Sequence, residues 1–351
     1  MLVGGFTPLA IALSWAIRHR FPLSDAEYAA GLLTFCAAFV VNDPHFTVSY
    51  LLFYRGFRAR ALGPAFAGAQ RVRYWFAGVI APIALAAWAV AALASRSPLA
   101  LGLMIQLMFF WVGFHYVKQG FGVMLALSAR RGVTYSPAER TAIVAHALAG
   151  WAYAWATPYD PGREVIEKGV IYNTIAHPRW LEPLTLTCLV VTAIALSVAL
   201  LAKWRRDRRL PIGTPLTALL CSIWAWSIFS GRDPLVRYLV PALHSLQYLY
   251  FVYLMRGNEA AEREGPPWFE ATRAQKLTAL FGGSVALGAL VFHAGPSALD
   301  AAVVPRAWRF TDLGATPCFA ALYAFINLHH YLIDWVIWRR DNTETRYLRV
   351  S

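Results

Sequence analysis

The amino-acid sequence predicts an all-α integral membrane protein, a polytopic bundle of about ten transmembrane helices with both termini in the cytoplasm. Of its 351 residues, 58% are hydrophobic and only 15% are charged, whereas soluble proteins carry about a quarter charged residues. Apolar runs of about 17 to 25 residues recur along the chain, and each can cross about 30 Å of hydrocarbon. The runs are continuously apolar rather than alternating, as in PIALAAWAVAALA at 82–94, which favours helices over a β-barrel.

No stretch of the chain separates as a soluble domain, so residues 1–351 are predicted to form a single transmembrane domain. The predicted spans are residues 2–17, 27–54, 74–94, 98–128, 140–157, 181–202, 212–230, 235–255, 276–294 and 314–338. The longest outer connection includes residues 161–179, PGREVIEKGVIYNTIAHPR. It predicts either a short interfacial helix or lid, or an ordinary solvated loop.

The net charge of +13 has a distribution that is typical of membrane topology rather than of nucleic-acid binding. With the N-terminus inside, 21 of the 32 Lys and Arg residues fall in cytoplasmic loops and nine in outer loops. This positive-inside bias predicts a multi-pass protein of the cell inner (cytoplasmic) membrane and no nucleic-acid partner. The basic run KWRRDRR at 203–209 is expected to contact anionic headgroups of membrane lipids.

Several familiar catalytic and binding motifs are missing from the sequence. It has no GxSxG elbow, P-loop, HExxH or Gly-rich dinucleotide fingerprint, so serine-hydrolase and nucleotide chemistry have no support. Its four cysteines are scattered one per predicted span, without a CxxC or CxxCH motif. They are therefore predicted to be buried structural thiols rather than disulfides, zinc ligands or covalent haem attachments.

Ionisable residues inside the predicted spans are the main functional signal, because each costs a few kcal/mol to insert. Six of the nine histidines lie within spans: His45, His115, His146, His244, His329 and His330. At a rise of 1.5 Å per residue, most lie roughly 9 to 22 Å from the nearest cytoplasmic arginine. His19, His177 and His293 lie in outer loops or at an outer helix end, and are predicted to be interfacial groups.

Four of the span histidines share a helical face with an amide or a carboxylate, at spacings of three or four residues. The pairs are Asn42 with His45 in VNDPHF, Gln119 with His115 in FHYVKQGFG, Gln247 with His244 in PALHSLQYLY, and Asn327 and Asp334 with His330 in INLHHYLIDW. A metal-binding imidazole usually donates its second N–H to such an acceptor, which sets its tautomer and orientation.

These patterns predict a buried metal site. Its ligands would be His45, His115, His244 and His330, with His146 and His329 as further candidates, and Asn42, Gln119, Gln247 and Asn327 as orienting groups at the cofactor. Asp334 is predicted to act catalytically, as a ligand or as a base, and Asp43 is an alternative carboxylate ligand; mixed His and carboxylate sets suit iron and manganese. Lys118 is the other catalytic candidate, and it could snorkel, pair with a carboxylate or bind an anionic group of the substrate.

The site resembles those of histidine-rich integral-membrane metal oxidoreductases of the fatty-acid desaturase and hydroxylase class, through the His329–His330 pair; their HxxxH and HxxHH boxes are not reproduced. The segments FHYVKQGFG and HSLQY are similar to those of bacterial carotene-cleaving dioxygenases of the Brp/Blh type. In that family Tyr248 would be a second histidine and an N-terminal His-Gly segment would be present. The resemblance implies a polytopic protein whose intramembrane histidines bind iron.

The leading hypothesis is a membrane-embedded oxidoreductase, dependent on a His-coordinated metal, most simply non-haem iron. It would act on a lipid or isoprenoid-like substrate, a hydrophobic small molecule, with an electron-donor protein as a possible partner. One alternative is a proton-coupled transporter with an intramembrane His/Asp site. Another is an electron-transfer protein that binds haem b or handles quinone.

Overall fold

The computed structural model describes most of the chain, in eight stretches. They are residues 7–64, 66–157, 162–209, 214–229, 234–262, 271–303, 312–339 and 341–348. The described residues are 83% helical and include almost no strands, so the predicted all-α class is confirmed.

The α-helices vary widely in length. In chain order they are α1 Thr7–Arg20, α2 Leu23–Ala37, α3 Asp43–Tyr54, α4 Phe57–Leu62, α5 Gly68–Trp75, α6 Ala81–Ala94, α7 Pro98–Arg130, α8 Pro137–Ala156, α9 Leu181–Asp207, α10 Pro215–Phe229, α11 Pro234–Glu262, α12 Arg273–Ala289, α13 Gly295–Val303 and α14 Pro317–Ile337. A 3₁₀ segment, Thr343–Leu348, follows α14.

Four helices in the described part of the chain are long and apolar enough to cross a membrane, which indicates membrane association. They are Gly68–Ala94, Pro98–Arg130, Leu181–Asp207 and Arg273–Ala302. Two shorter apolar helices cover Thr7–Ile17 and Pro215–Ala225. The total of about ten spans and the cytoplasmic position of the termini stay predictions.

The chain divides into two compact units, each assembled from three separate segments. The first unit contains Met1–Phe35, Phe109–Arg163 and Ile175–His244, and the second contains Cys36–Met108, Glu164–Thr174 and Ser245–Ser351. In the first unit α8 packs against α9 and α10. In the second unit α14 packs against α3, α6 and α13, and α3 also packs against α12. The single transmembrane domain over residues 1–351 stays a prediction.

Local sequence signals explain where two of these helices begin. Ser136 and Glu139 form a capping box at the start of α8, in which the Ser136 Oγ accepts from the Glu139 N–H at 3.3 Å. Thr272 and Gln275 form the equivalent box at the start of α12. Glu139 is also bound by Arg206 at 3.0 Å, which ties the start of α8 to the end of α9.

Short π-helical turns interrupt three of the described helical runs, and a proline follows each turn by two residues. The turns and their prolines are Ala38–Asn42 with Pro44, Phe76–Ile80 with Pro82, and Leu290–Ala294 with Pro296. Proline has no N–H, and its ring collides with the carbonyl four residues earlier, so a regular α-helix cannot continue through it. The freed carbonyl of Gly78, four residues before Pro82, accepts a hydrogen bond from the Tyr54 hydroxyl at 2.9 Å.

Residues 164–173 form a β-hairpin, where the sequence analysis predicted an interfacial helix, a lid or a solvated loop. Glu164–Glu167 pairs antiparallel with Val170–Asn173, and Lys168 and Gly169 both have positive φ, as a type I′ turn requires. Branched residues on both sides of Lys-Gly were the available sequence signal. The Gly169 carbonyl also accepts from the Ala315 N–H at 2.6 Å, which attaches the hairpin to the segment before α14.

The cysteines do not form a buried set. Cys318 is buried, but Cys36, Cys188 and Cys221 are exposed, so the prediction of buried thiols is wrong for these three.

Helices α3 and α12 approach closely around Gly288. A Cβ atom at this position would lie 2.9 Å from Asp43 Cβ and 3.2 Å from the Asp43 carbonyl carbon. The Thr47 Oγ1 donates to the Ser284 carbonyl at 2.6 Å, one turn away along the same contact. The close approach fixes the start of α3, which carries Asp43 and His45.

We expect Gly288→Ala to lower the thermal unfolding midpoint of detergent-purified protein, because overpacking of a close contact costs about 1–3 kcal/mol. Gly283→Ala is the matched control on the same helix, since a Cβ there meets nothing within 4 Å. It should leave the midpoint unchanged or raise it, because alanine favours a helix by about 1 kcal/mol over glycine. Equal midpoints for the two variants would contradict the close packing of α3 on α12.

Candidate metal centre

In the second unit, α3 and α14 bring two histidines and one carboxylate together. His45 lies in the first turn of α3, directly after Pro44, and His330 and Asp334 lie four residues apart on one face of α14. One ligand atom from each of these three residues lies within 4.8 Å of the others. Their exposed fractions are 1%, 0% and 4%, so the group is fully buried and could bind a metal ion.

The spacing of these three side chains suits a single ion. His330 Nε2 lies 3.4 Å from Asp334 Oδ2, and the His45 and His330 ring centroids are 4.5 Å apart at an angle of 78°. Metal–nitrogen and metal–oxygen bonds are about 2.0–2.2 Å long, so neighbouring ligand atoms on one ion lie roughly 3 Å apart. The His330–Asp334 pair already has this separation.

A hydrogen-bonded hydroxyl chain supports the carboxylate. The Tyr248 hydroxyl, on α11, donates to Asp334 Oδ1 at 2.8 Å, and the Ser49 Oγ donates to the Tyr248 oxygen at 2.6 Å. The other carboxylate oxygen, Oδ2, is the one directed at His330. Asp334 was predicted from the sequence, but its contact with Tyr248 and the part played by Ser49 were not, because these contacts join three different helices.

Apolar side chains exclude water from this group. The Phe46 ring lies 4.8 Å from the His330 ring and 5.3 Å from the Phe292 ring. Phe46 therefore packs between His330 and the π-turn Leu290–Ala294, which contains Phe292. Tyr248 packs in the core of the second unit with Val252 and Ile333. Electrostatic interactions within such a site are stronger than in water because the local dielectric constant is low.

The first unit contains a second close pair of imidazoles. The His115 and His244 ring centroids are 4.8 Å apart at 74°, and the Tyr116 ring lies 4.1 Å from that of His244. Both histidines are buried. Gln119, predicted to orient an imidazole, donates from Nε2 to the main-chain carbonyl of His244 at 3.1 Å. The predicted membership of His115 and His244 in one site with His45 and His330 stays a prediction.

Neither imidazole pair has the spacing of two axial haem ligands. Axial nitrogens bind opposite faces of the iron at about 2 Å each, so their ring centroids lie roughly 6 Å apart with the porphyrin between them. The observed 4.5 Å and 4.8 Å separations instead resemble adjacent positions on one ion. The geometry therefore disfavours a haem held between His45 and His330 or between His115 and His244.

The two further ligand candidates already have protein partners at both ring nitrogens. His329 Nε2 donates to the Ala77 carbonyl at 2.7 Å, while its Nδ1 pairs with the Tyr50 hydroxyl at 2.9 Å. His146 Nε2 accepts from the Trp224 indole at 3.0 Å, and its Nδ1 pairs with the Thr192 hydroxyl at 3.2 Å. These contacts stabilise helix packing and disfavour the predicted ligand roles.

The predicted orienting amides have varied partners. Asn42 Oδ1 accepts from the Ser245 hydroxyl at 3.1 Å, and Asn327 donates to the Tyr323 carbonyl at 2.8 Å within α14. Gln247 is buried. These contacts of Asn42 and Asn327 stabilise helix packing, and the predicted roles of the amides at a cofactor stay predictions.

Lys118 is exposed, whereas Asp43, the alternative carboxylate ligand, is buried. Lys118 is exposed on α7, and its catalytic role stays a prediction. Asp43 is buried and pairs with His293 Nε2 at 2.7 Å, with the Phe39 ring stacked on His293 at 4.0 Å. His293 is therefore an ion-pair or hydrogen-bond partner of Asp43 rather than the simple interfacial group that was predicted.

Comparison of the chain with protein-family models, with curated proteins and with solved structures finds no match. The resemblance to desaturase-class and carotene-cleaving enzymes stays a prediction.

The neighbouring residues His330 and His329 provide a matched pair of variants. We expect His330→Ala to remove most of the divalent metal that co-purifies with the protein, because it deletes a ligand. His329→Ala should retain the metal and lower the thermal midpoint, since an unmet buried carbonyl and hydroxyl cost about 1–3 kcal/mol each. Metal analysis and thermal unfolding of both variants check this. Metal retained in folded His330→Ala protein would exclude His330 as a ligand.

Proposed function

We propose that this chain is a membrane-embedded oxidoreductase that depends on a His-coordinated metal, with non-haem iron as the favoured ion. The observation that carries the proposal is the buried group of His45, His330 and Asp334, whose ligand atoms lie within 4.8 Å of one another. Two histidines and one carboxylate with open positions are the ligand set of non-haem iron oxygenases. The three residues include no thiolate, which argues against sites built on soft ligands.

The proposed roles follow from the contacts of each residue. His45 and His330 bind through ring nitrogens, and Asp334 binds through Oδ2 while Oδ1 accepts from Tyr248. His115 and His244 are proposed as further ligands, and Lys118 as a group that meets the substrate. When bound, iron would activate oxygen or polarise a bound oxygen atom.

A lipid or isoprenoid-like substrate is proposed because the ligands are buried on helices of a chain with four helices apolar enough to span a membrane. The predicted topology of about ten spans in the inner membrane, with both termini cytoplasmic, would place the histidines in the inner half to middle of the bilayer. An electron-donor protein is the proposed source of electrons.

Proton-coupled transport is the second candidate, and one observation favours it. The buried Asp43 and the half-buried His293 form a direct acid–imidazole contact of 2.7 Å in the second unit. Intramembrane pairs of this kind occur in proton relays of transporters.

Iron analysis and a visible spectrum of detergent-purified protein separate these functions. We expect stoichiometric iron without a Soret band in the wild type, and loss of that iron in His115→Ala with membrane insertion unchanged. A Soret band would indicate haem. Protein free of metal after purification from iron-supplemented cells, with substrate-dependent uptake in proteoliposomes, would instead establish the transport alternative.

The topology makes a separate prediction. Fluorescent-protein fusions at either terminus should be fluorescent, and a periplasm-active phosphatase fused within residues 162–180 should be active, because those residues are predicted to lie outside. A phosphatase fusion in the basic run 203–209 is the control and should be inactive. An active fusion at 203–209 would overturn the proposed orientation.

A further inference from the structure

Tyr248 is in contact with proposed ligands on two helices of the second unit, and it stands where the carotene-cleaving dioxygenases would have a second histidine. Its hydroxyl donates to Asp334 Oδ1 at 2.8 Å, and its ring lies edge-on to the His45 ring at a centroid distance of 4.6 Å. One side chain on α11 therefore touches ligands carried by α3 and by α14.

The hydrogen-bond direction at Tyr248 follows from its partners. The phenolic proton points at Asp334, which agrees with a metal-binding carboxylate because such a carboxylate is ionised and only accepts. The Ser49 hydroxyl then donates to the phenolic oxygen at 2.6 Å, and it lies 3.1 Å from the His45 main-chain carbonyl. Ser49 and His45 are one turn apart on α3, so the chain of hydroxyls begins on the helix that carries a ligand.

The ring of Tyr248 is held as firmly as its hydroxyl. It is buried in the core of the second unit, and the Trp338 ring lies edge-on to it at a centroid distance of 5.2 Å. A ring packed in this way cannot swing away, so the position of the hydroxyl is set by the core. Asp334, by contrast, could rotate about its side-chain bonds if nothing engaged Oδ1.

We propose that Tyr248 is a positioning residue that keeps Asp334 a one-oxygen ligand. This inference rests on the proposed metal site. A carboxylate can bind a metal through one or both oxygens. Tyr248 binds Oδ1 of Asp334, so only Oδ2, the oxygen nearest His330, is directed at the proposed metal. The coordination position that Oδ1 would otherwise fill stays open. An open position is what a catalytic site needs for substrate or oxygen and what a structural site lacks.

The test uses Co²⁺ as the probe, added to metal-depleted full-length protein in detergent. Tyr248→Phe removes the hydroxyl and keeps the ring. We expect Co²⁺ to bind about 10–100-fold more weakly, as is usual when a residue supporting a ligand is lost. We also expect the visible Co²⁺ spectrum to change, because the carboxylate becomes free to bind through both oxygens.

Tyr50→Phe is the matched control. Tyr50 also uses its hydroxyl to hold a buried histidine, but that histidine is His329, whose ring nitrogens have protein partners. Its Co²⁺ affinity and spectrum should equal those of the wild type. Loss of packing alone would change the stability of both variants and would leave the Co²⁺ spectrum of Tyr248→Phe unchanged.

Each outcome distinguishes this inference from the proposed function. A wild type that binds neither Co²⁺ nor iron overturns the metal site itself. If the wild type binds Co²⁺ and Tyr248→Phe binds it with the same affinity and spectrum, the positioning role of Tyr248 is overturned but the metal site is not. If Tyr248→Phe does not fold, Ser49→Ala decides, since loss of its hydroxyl should weaken Co²⁺ binding in the same direction; unchanged binding would overturn the inference.

Discussion

A buried polar group on an apolar helix must find its partner within the protein, because hydrocarbon offers none, and much of the second unit follows from this requirement. Pro82 frees the main-chain carbonyl of Gly78, and the Tyr54 hydroxyl binds it. One residue earlier in the same π-turn, the Ala77 carbonyl accepts from His329. The turn at Phe76–Ile80 is therefore a point where side chains of α3 and α14 attach to the backbone, and these two helices carry the candidate ligands.

The same requirement separates histidines that look alike in the sequence. His329 and His330 are adjacent, but successive side chains on a helix point about 100° apart. One of them meets Ala77 and Tyr50, whereas the other faces Asp334 and the His45 ring. A singly protonated ring at His329 can donate from Nε2 and accept at Nδ1, so both of its nitrogens are used in packing. A resident ion would have to displace these bonds.

Periodicity and composition predicted the all-α class and the face that His330 shares with Asp334, because both are properties of a single helix. They could not predict that Tyr248 binds Asp334 or that Asp43 meets His293, since those contacts depend on which helices are neighbours. The hairpin at 164–173 was missed for a different reason. Lys-Gly at its turn is a weaker signal than Asn-Gly, and the flanking charges resemble those of a solvated loop. The prolines at 44, 82 and 296 each stand two residues after a π-turn. This common offset is visible only in the structure, so the prolines did not predict the turns from the sequence.

The two acid–imidazole contacts of the second unit differ in a way that bears on chemistry. Asp43 and His293 are 2.7 Å apart, a normal distance for a charge-assisted hydrogen bond, so that pair satisfies itself. His330 Nε2 and Asp334 Oδ2 are 3.4 Å apart, beyond the usual hydrogen-bond range, although both residues are fully buried on one helix. Rotation about a side-chain bond could shorten this distance, yet Tyr248 holds Oδ1 and opposes that rotation. A cation at about 2 Å from each of these two atoms fits their separation of 3.4 Å. It would also offset the cost of burying the charge of the carboxylate.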